Sequence, residues 1–171
     1  MYGTAANLLA WALPCPYILG MATCAALARS VSLLAIQLLF LTMWGFAGIG
    51  KLMAGFPAWF PDKFGLTFVA KFPGLHATFW ILAACELVGF LLAVASLLNA
   101  EFLPKRHPRI LVVMLAWSLL IFVQLSFGQW LTSDFNATAQ LFAYFAGTLV
   151  ALMHVNAPYH SLQLPKSQPA P

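Results

Sequence analysis

Between Thr78 and Ala100 the chain reads TFWILAACELVGFLLAVASLLNA, and Glu86 is the only ionised side chain in that run. About 20 apolar residues are enough for a helix to cross the hydrocarbon of a bilayer. A carboxylate held there costs about 2.5 kcal/mol or more, so it must face protein, water or a cation rather than lipid. The nearest cation in sequence is Lys51, close to the end of the preceding apolar run. This one stretch therefore demands a membrane fold in which a second helix covers Glu86.

The composition agrees. The 171 residues are 63% hydrophobic and 7% charged, where soluble domains carry about 25% charged residues. That leaves one membrane domain and excludes a water-soluble enzyme of this size. The formal charge of +4 fits a modest excess of Lys and Arg in loops kept inside. The basic residues are too few and scattered for a nucleic-acid surface. Cys15, Cys24 and Cys85 form no C-x-x-C pair and lie at no metal-ligand spacing with His, so neither dithiol chemistry nor a metal site is expected.

Four runs can span. The first, Ser30 to Ala54, carries Gln37 and Lys51, with Gly45, Gly48 and Gly50 near its outer end. Trp44, Gly48 and Lys51 recur at i, i+4 and i+7 and share a face. The second, Thr78 to Ala100, sets Gly89 and Ala93 at small-xxx-small spacing beside Glu86, a pattern that lets helices approach closely. The third runs from Ile110 to Phe127, and the fourth from Ala139 to Asn156. In the fourth, Ala143, Gly147 and Ala151 form the most regular small-residue stripe of the chain and are expected to be a packing seam.

Three further segments flank or join these spans. Residues 1–29 are an apolar extension with Pro14 and Pro16, expected as a peripheral helix with a proline break; a fifth span from Asn7 to Leu27 is the alternative. Residues 157–171 are a Pro- and Gln-rich tail, expected to be ordered only against a partner. Between spans one and two, Phe60, Phe64, Phe68 and Phe72 repeat every four residues, with Lys63, Thr67 and Lys71 on another face. That period predicts an interfacial helix from Pro61 to Lys71. Its role is either a lid or lateral entry for a lipophilic ligand, or a loop resting on the membrane or covering a partner subunit. The expected fold is thus all-α: a polytopic transmembrane four-helix bundle spanning residues 30–156, plus these additions.

One side of such a bundle collects Arg29, Lys105, Arg106, Arg109 and Lys166, the other Lys51, Lys63 and Lys71. The bias predicts both termini inside and the aromatic loop outside. Antiparallel neighbours can then bring Lys51 and Glu86 together. The pair either pins two helices, or relays a proton or anchors a ligand. Gln124 and Gln129, at the outer end of span three, can complete a polar pocket with it, and Trp44 and Trp80 can wall that pocket. Such a site suits a quinone or another polar-tipped lipid, while the chain alone is expected to bind no metal or other cofactor. Tryptophans also gather at membrane interfaces as ordinary anchors. His154 stands alone in its span and is read as a satisfied or interfacial side chain.

The run from GFAGIGKLMAGFPAWF to ACELVGFLLAVASLL resembles the DoxX-like family of small four-helix membrane proteins. The shared features are Gly48, Gly50 and Lys51 closing the first span, and Glu86, Leu87 and Gly89 in the second; the likeness covers Val31 to Val155. The resemblance implies a four-helix bundle associated with membrane redox assemblies, including subunits linked to thiosulfate oxidation with quinone as acceptor. The expectation that follows is a non-catalytic accessory or small structural subunit of a larger membrane complex in a bacterial inner membrane. A quinone-binding subunit of a membrane oxidoreductase is the alternative, and a small-solute carrier a third.

Overall fold

The computed structural model describes residues 15–104 and 106–157. Within them the protein is all-helical: α1 (Cys15–Ala54), α2 (Trp59–Phe64), α3 (Leu75–Leu98), α4 (Arg109–Leu131) and α5 (Phe135–Asn156), with a short 3-10 turn at Phe68–Ala70. Four of the helices are long and apolar enough to cross a membrane, α1 through its Ala26–Ala54 portion. The protein is therefore an integral, multi-pass membrane protein.

Helix α1 has 40 residues, about 60 Å at 1.5 Å per residue, twice the thickness of bilayer hydrocarbon. Among the described residues the N-terminal extension, from Cys15, is continuous with span one and forms no helix of its own. Pro16 sits in the first turn, where no intrahelical N–H bond is needed, so it breaks nothing. Residues 1–14 and 158–171, including Pro14, the beginning of the alternative fifth span and the tail, lie outside the described residues.

Helices α1 and α3 pack antiparallel. Lys51–Glu86, Gly48–Leu87, Gly45–Phe90, Trp44–Gly89 and Gln37–Ser96 follow one another in opposite directions along the two helices. The small residues make this register possible, since a Cβ on Gly48 would sit 3.1 Å from the Leu87 backbone nitrogen. Ala93 is fully buried in the same seam. Helix α4 packs on α3, and α5 on α4. The core between them holds Leu33, Phe40, Trp44, Leu111, Met114, Leu115, Ile121, Phe122 and Val155.

The expected seam on α5 is a correction. Ala143 and Gly147 are exposed and only Ala151 packs on the core. The inward face of α5 is taken instead by Leu141, Phe145, Thr148, Leu152 and Val155.

Two chain reversals are built alike. After α3, Ala100 adopts φ 51°, and the N–H groups of Ala100 and Glu101 bond the carbonyls of Leu97 and Ser96. After α4, Ser133 adopts φ 58°, and Ser133 and Asp134 bond the carbonyls of Trp130 and Gln129. Both are Schellman closures with a left-handed residue at the exit, and each delivers a carboxylate to the next helix. Glu101 accepts from the backbone N–H groups of Ile110 and Leu111 at 2.9 and 2.8 Å. Asp134 accepts from Ala137 N–H at 3.2 Å. Both anions thereby meet the positive end of a helix dipole.

At the end of the bundle where α1 enters and α5 leaves, Arg29 donates to the carbonyls of Val155 and Ala157. Ser32 Oγ lies 2.8 Å from Nε2 of His154, which gives that histidine a partner. Residues 55–74 cover the other end.

Candidate ligand site under the aromatic lid

The lid starts and ends on glycines at positive φ, Gly55 at 69° and Gly74 at 100°, conformations that other residues adopt only under strain. Between them the expected helix from Pro61 to Lys71 is split. Helix α2 stops at Phe64, and Thr67 is extended at φ −88°, ψ 163°, before the 3-10 turn begins. The Thr67 hydroxyl donates to the Phe64 carbonyl at 2.7 Å, closing the helix where Gly65 already weakens it. The four phenylalanines therefore do not form one stripe. Phe60 and Phe64 turn inward and pack against Phe79, whereas Phe68 and Phe72 are exposed. Phe56 stacks on His76 with ring centroids 3.9 Å apart, fastening the lid to the start of α3.

Beneath the lid lies a cavity of about 450 Å³, within the range of small-ligand sites. Its walls are mainly apolar, from Phe60, Phe64, Phe79, Leu82 and Leu125 inside to Phe68, Phe72, Ile81 and Phe127 at the outer side. Five polar side chains reach it: Lys51, Lys63, Thr78, Gln124 and Gln129.

Each lysine is already neutralised. The Lys51 ammonium donates to both oxygens of Glu86 at 2.8 and 2.6 Å. Glu86 is 1% exposed and lies behind Lys51, so it does not itself line the cavity. Lys63 donates to Gln129 Oε1 at 2.6 Å and to Asp134 at 3.0 Å. That bond, followed by the Ala137 N–H, holds the Asp134 carboxyl below the usual carboxylate range. An ammonium has three N–H groups and Gln129 keeps its amide donors. The polar lining of the cavity is thus charge-balanced and rich in hydrogen-bond donors, a match for a neutral head that accepts hydrogen bonds.

Lys51, Gln124 and Gln129 accordingly line one cavity, with Glu86 supporting Lys51 from behind, while Gln129 belongs to the strap at the lid. The two tryptophans do not join them. Trp44 is 2% exposed in the bundle core, where its indole N–H donates to Ser118 Oγ at 2.8 Å. Trp80 stands on the outer surface of α3, edge-on to Phe79, because Phe79 and Leu82 take the inward directions of that turn. The wall tryptophan is instead Trp59, from the lid.

Sequence reasoning missed Trp59, Phe79 and the strap formed by Lys63 and Asp134. An Asp three residues before the amide it caps is a recognisable helix start and was the one available signal. It also missed a second buried polar cluster at the far end of the bundle. There Gln37 Nε2 donates to Ser96 Oγ at 2.7 Å, and Ser96 donates to Glu101 at 2.9 Å.

No protein-family model matches this chain, and no curated protein or solved structure does either.

Proposed function

We propose that this DoxX-like membrane protein holds a lipophilic molecule with a neutral, hydrogen-bond-accepting head under its aromatic lid, a quinone being the candidate class. In this reading it acts as a small, non-catalytic binding subunit beside a membrane redox enzyme. The observation that carries it is the cavity itself: apolar walls interrupted by Lys51, Lys63, Gln124 and Gln129, with both lysines neutralised by their own carboxylates. An anionic head would find no uncompensated charge there, whereas a ring carbonyl finds N–H donors in a low-dielectric setting, where each such bond is strong. The unbroken spanning helices favour a held molecule over a carried one, since carriers place their sites at interrupted helices.

The test is extraction of the protein in mild detergent and identification of co-purifying lipophiles by mass. Quinone enriched over a membrane protein of similar size, and reduced by Gln124→Leu with Gln129→Leu, is the expected result. Enrichment no greater than that of the control ends this reading.

A second role, docking within a larger membrane complex, is favoured by α5, whose exposed Ala143 and Gly147 lie among exposed Phe142, Leu149 and Val150. Close helix approach needs such small residues. Larger subunits retained through mild-detergent purification would support that role, and a stable partner-free protein would count against it. The orientation with both termini cytoplasmic is supported by the bias of basic residues away from the lid side, and a bacterial inner membrane by the DoxX-like resemblance alone.

A further inference from the structure

Resting on the reading that the cavity holds a lipophile, we propose that its ligand is a long-tailed lipid that enters sideways from the bilayer between α3 and α4. Its head lies at Lys51 and Gln124, and its tail remains in hydrocarbon. A water-soluble molecule admitted through the lid is the excluded alternative.

The argument begins with two residues that belong to two surfaces at once. Ile81 is exposed and continues the outward stripe of α3 that includes Val88. Phe127 is exposed and continues the outward stripe of α4 through Leu120 and Val123. At i, i+7 on one helix and i, i+3, i+7 on the other, these are the lipid-facing sides. Yet Ile81 and Phe127 also line the cavity. The cavity therefore reaches the lipid-facing surface between the two helices. Phe68 of the lid meets Phe127 with ring centroids 6.0 Å apart and forms the upper edge of that mouth.

Below the mouth the same helices are tied, since the Trp117 indole N–H donates to the Cys85 carbonyl at 2.9 Å. Ile81 lies six residues into α3, about 9 Å from its start, which sets the mouth below the membrane surface. On the aqueous side the lid is fastened by Lys63 to Gln129 and Asp134, and by the buried Phe60 and Phe64 against Phe79. Through the mouth a ligand meets only apolar side chains; through the lid it must break an ion pair and unpack three rings. Lateral access keeps an acyl or isoprenoid tail out of water throughout.

The test uses the full chain in phosphatidylcholine nanodiscs and two probes, a benzoquinone bearing a decyl tail and the same ring without a tail. Occupancy is read by stopped-flow quenching of tryptophan fluorescence, with Trp59→Phe removing the part of the signal that comes from the cavity. Ile81→Phe, a larger apolar residue on a lipid-facing position that adds no fluorophore to the tryptophan signal, is expected to slow association of the tailed probe at least tenfold. Phe127→Ala, which widens the mouth, is expected to speed it, and Asp134→Asn, which releases the lid strap from outside the cavity, to leave it within about twofold. If Asp134→Asn speeds association tenfold while Ile81→Phe and Phe127→Ala change nothing, access is through the lid and the inference is overturned. If neither probe gives a signal that depends on Trp59, the binding reading itself falls, and lateral access with it.

Discussion

The indole of Trp44 lies flat against Gly89, so that a Cβ at Gly89 would come within 3.0 Å of Trp44 Cδ1 and 3.2 Å of Cγ. The ring cannot retreat, because it is buried among Phe122 and the core and its N–H is held by Ser118. Gly89→Ala is therefore expected to destabilise the bundle by about 1–3 kcal/mol through overpacking. Gly147→Ala is its control: a Cβ there meets nothing within 4 Å, and it should be neutral or slightly stabilising, since Ala exceeds Gly in helix propensity. Thermal unfolding in a fixed detergent compares the two. Equal effects would mean that the Trp44–Gly89 contact does not limit packing.

Lys51 and Glu86 are unequal partners. Glu86 is 2% exposed at its side chain and Lys51 26%. Lys51→Met strands a buried carboxylate, and removing one member of a buried pair costs about 3–5 kcal/mol. Glu86→Gln leaves an ammonium on a long stem that can reach toward the membrane surface, so its loss should be smaller. Stability by denaturant titration is expected to fall in the order wild type, Glu86→Gln, Lys51→Met, with the double variant recovering part of the Lys51→Met loss. The reverse order would show that the lysine is the buried charge. If a quinone is held, Lys51→Met should also weaken it, because Lys51 and not Glu86 lines the cavity.

How far the sequence could lead is visible in these residues. The spans were legible because lipid leaves a helix few alternatives, and the Lys51–Glu86 pair was legible because an isolated intramembrane charge must find a partner. The lid was not: a phenylalanine every fourth residue imitates a helix, and only the extended Thr67 shows where it breaks. Nor was the face of α5, since spacing says where helices can approach closely and not where a neighbour stands. In the sequence Glu101 is one more charge in a loop with Arg106 and Arg109. Its burial depends on the turn at Ala100, which no side-chain pattern announces.

That turn is itself suboptimal. Ala100 and Ser133 carry a Cβ at φ 51° and 58°, a region that costs an ordinary residue about 1–2 kcal/mol. Glycine removes that strain and returns part of the gain through the freer unfolded chain. Ala100→Gly and Ser133→Gly should each stabilise by about 0.5–1 kcal/mol. Glu101→Ala should act in the opposite direction, by about 1–3 kcal/mol, because it leaves the Ile110 and Leu111 N–H groups and Ser96 without their acceptor. Glycine variants that unfold earlier than wild type would show that the turn geometry is not held as described.

The strap at the lid should respond to acid. Lys63 and the α5 N-terminus stabilise the ionised form of Asp134, so its folded pKa lies below its unfolded one. The bond's contribution is therefore fully present above the ordinary aspartate range and is lost as pH falls through the lowered folded value. Below that pH the carboxyl is neutral, Lys63 keeps only Gln129, and the lid loosens along residues 59–74. Amide hydrogen exchange across this segment, corrected for the intrinsic pH dependence of exchange, should show protection constant from pH 7 down to about 4 and falling beyond it. Asp134→Asn should bring the low-pH protection to neutral pH and abolish the dependence. A lid equally protected at every pH in the native protein, or unchanged in Asp134→Asn, would mean that Phe60 and Phe64 alone hold it shut.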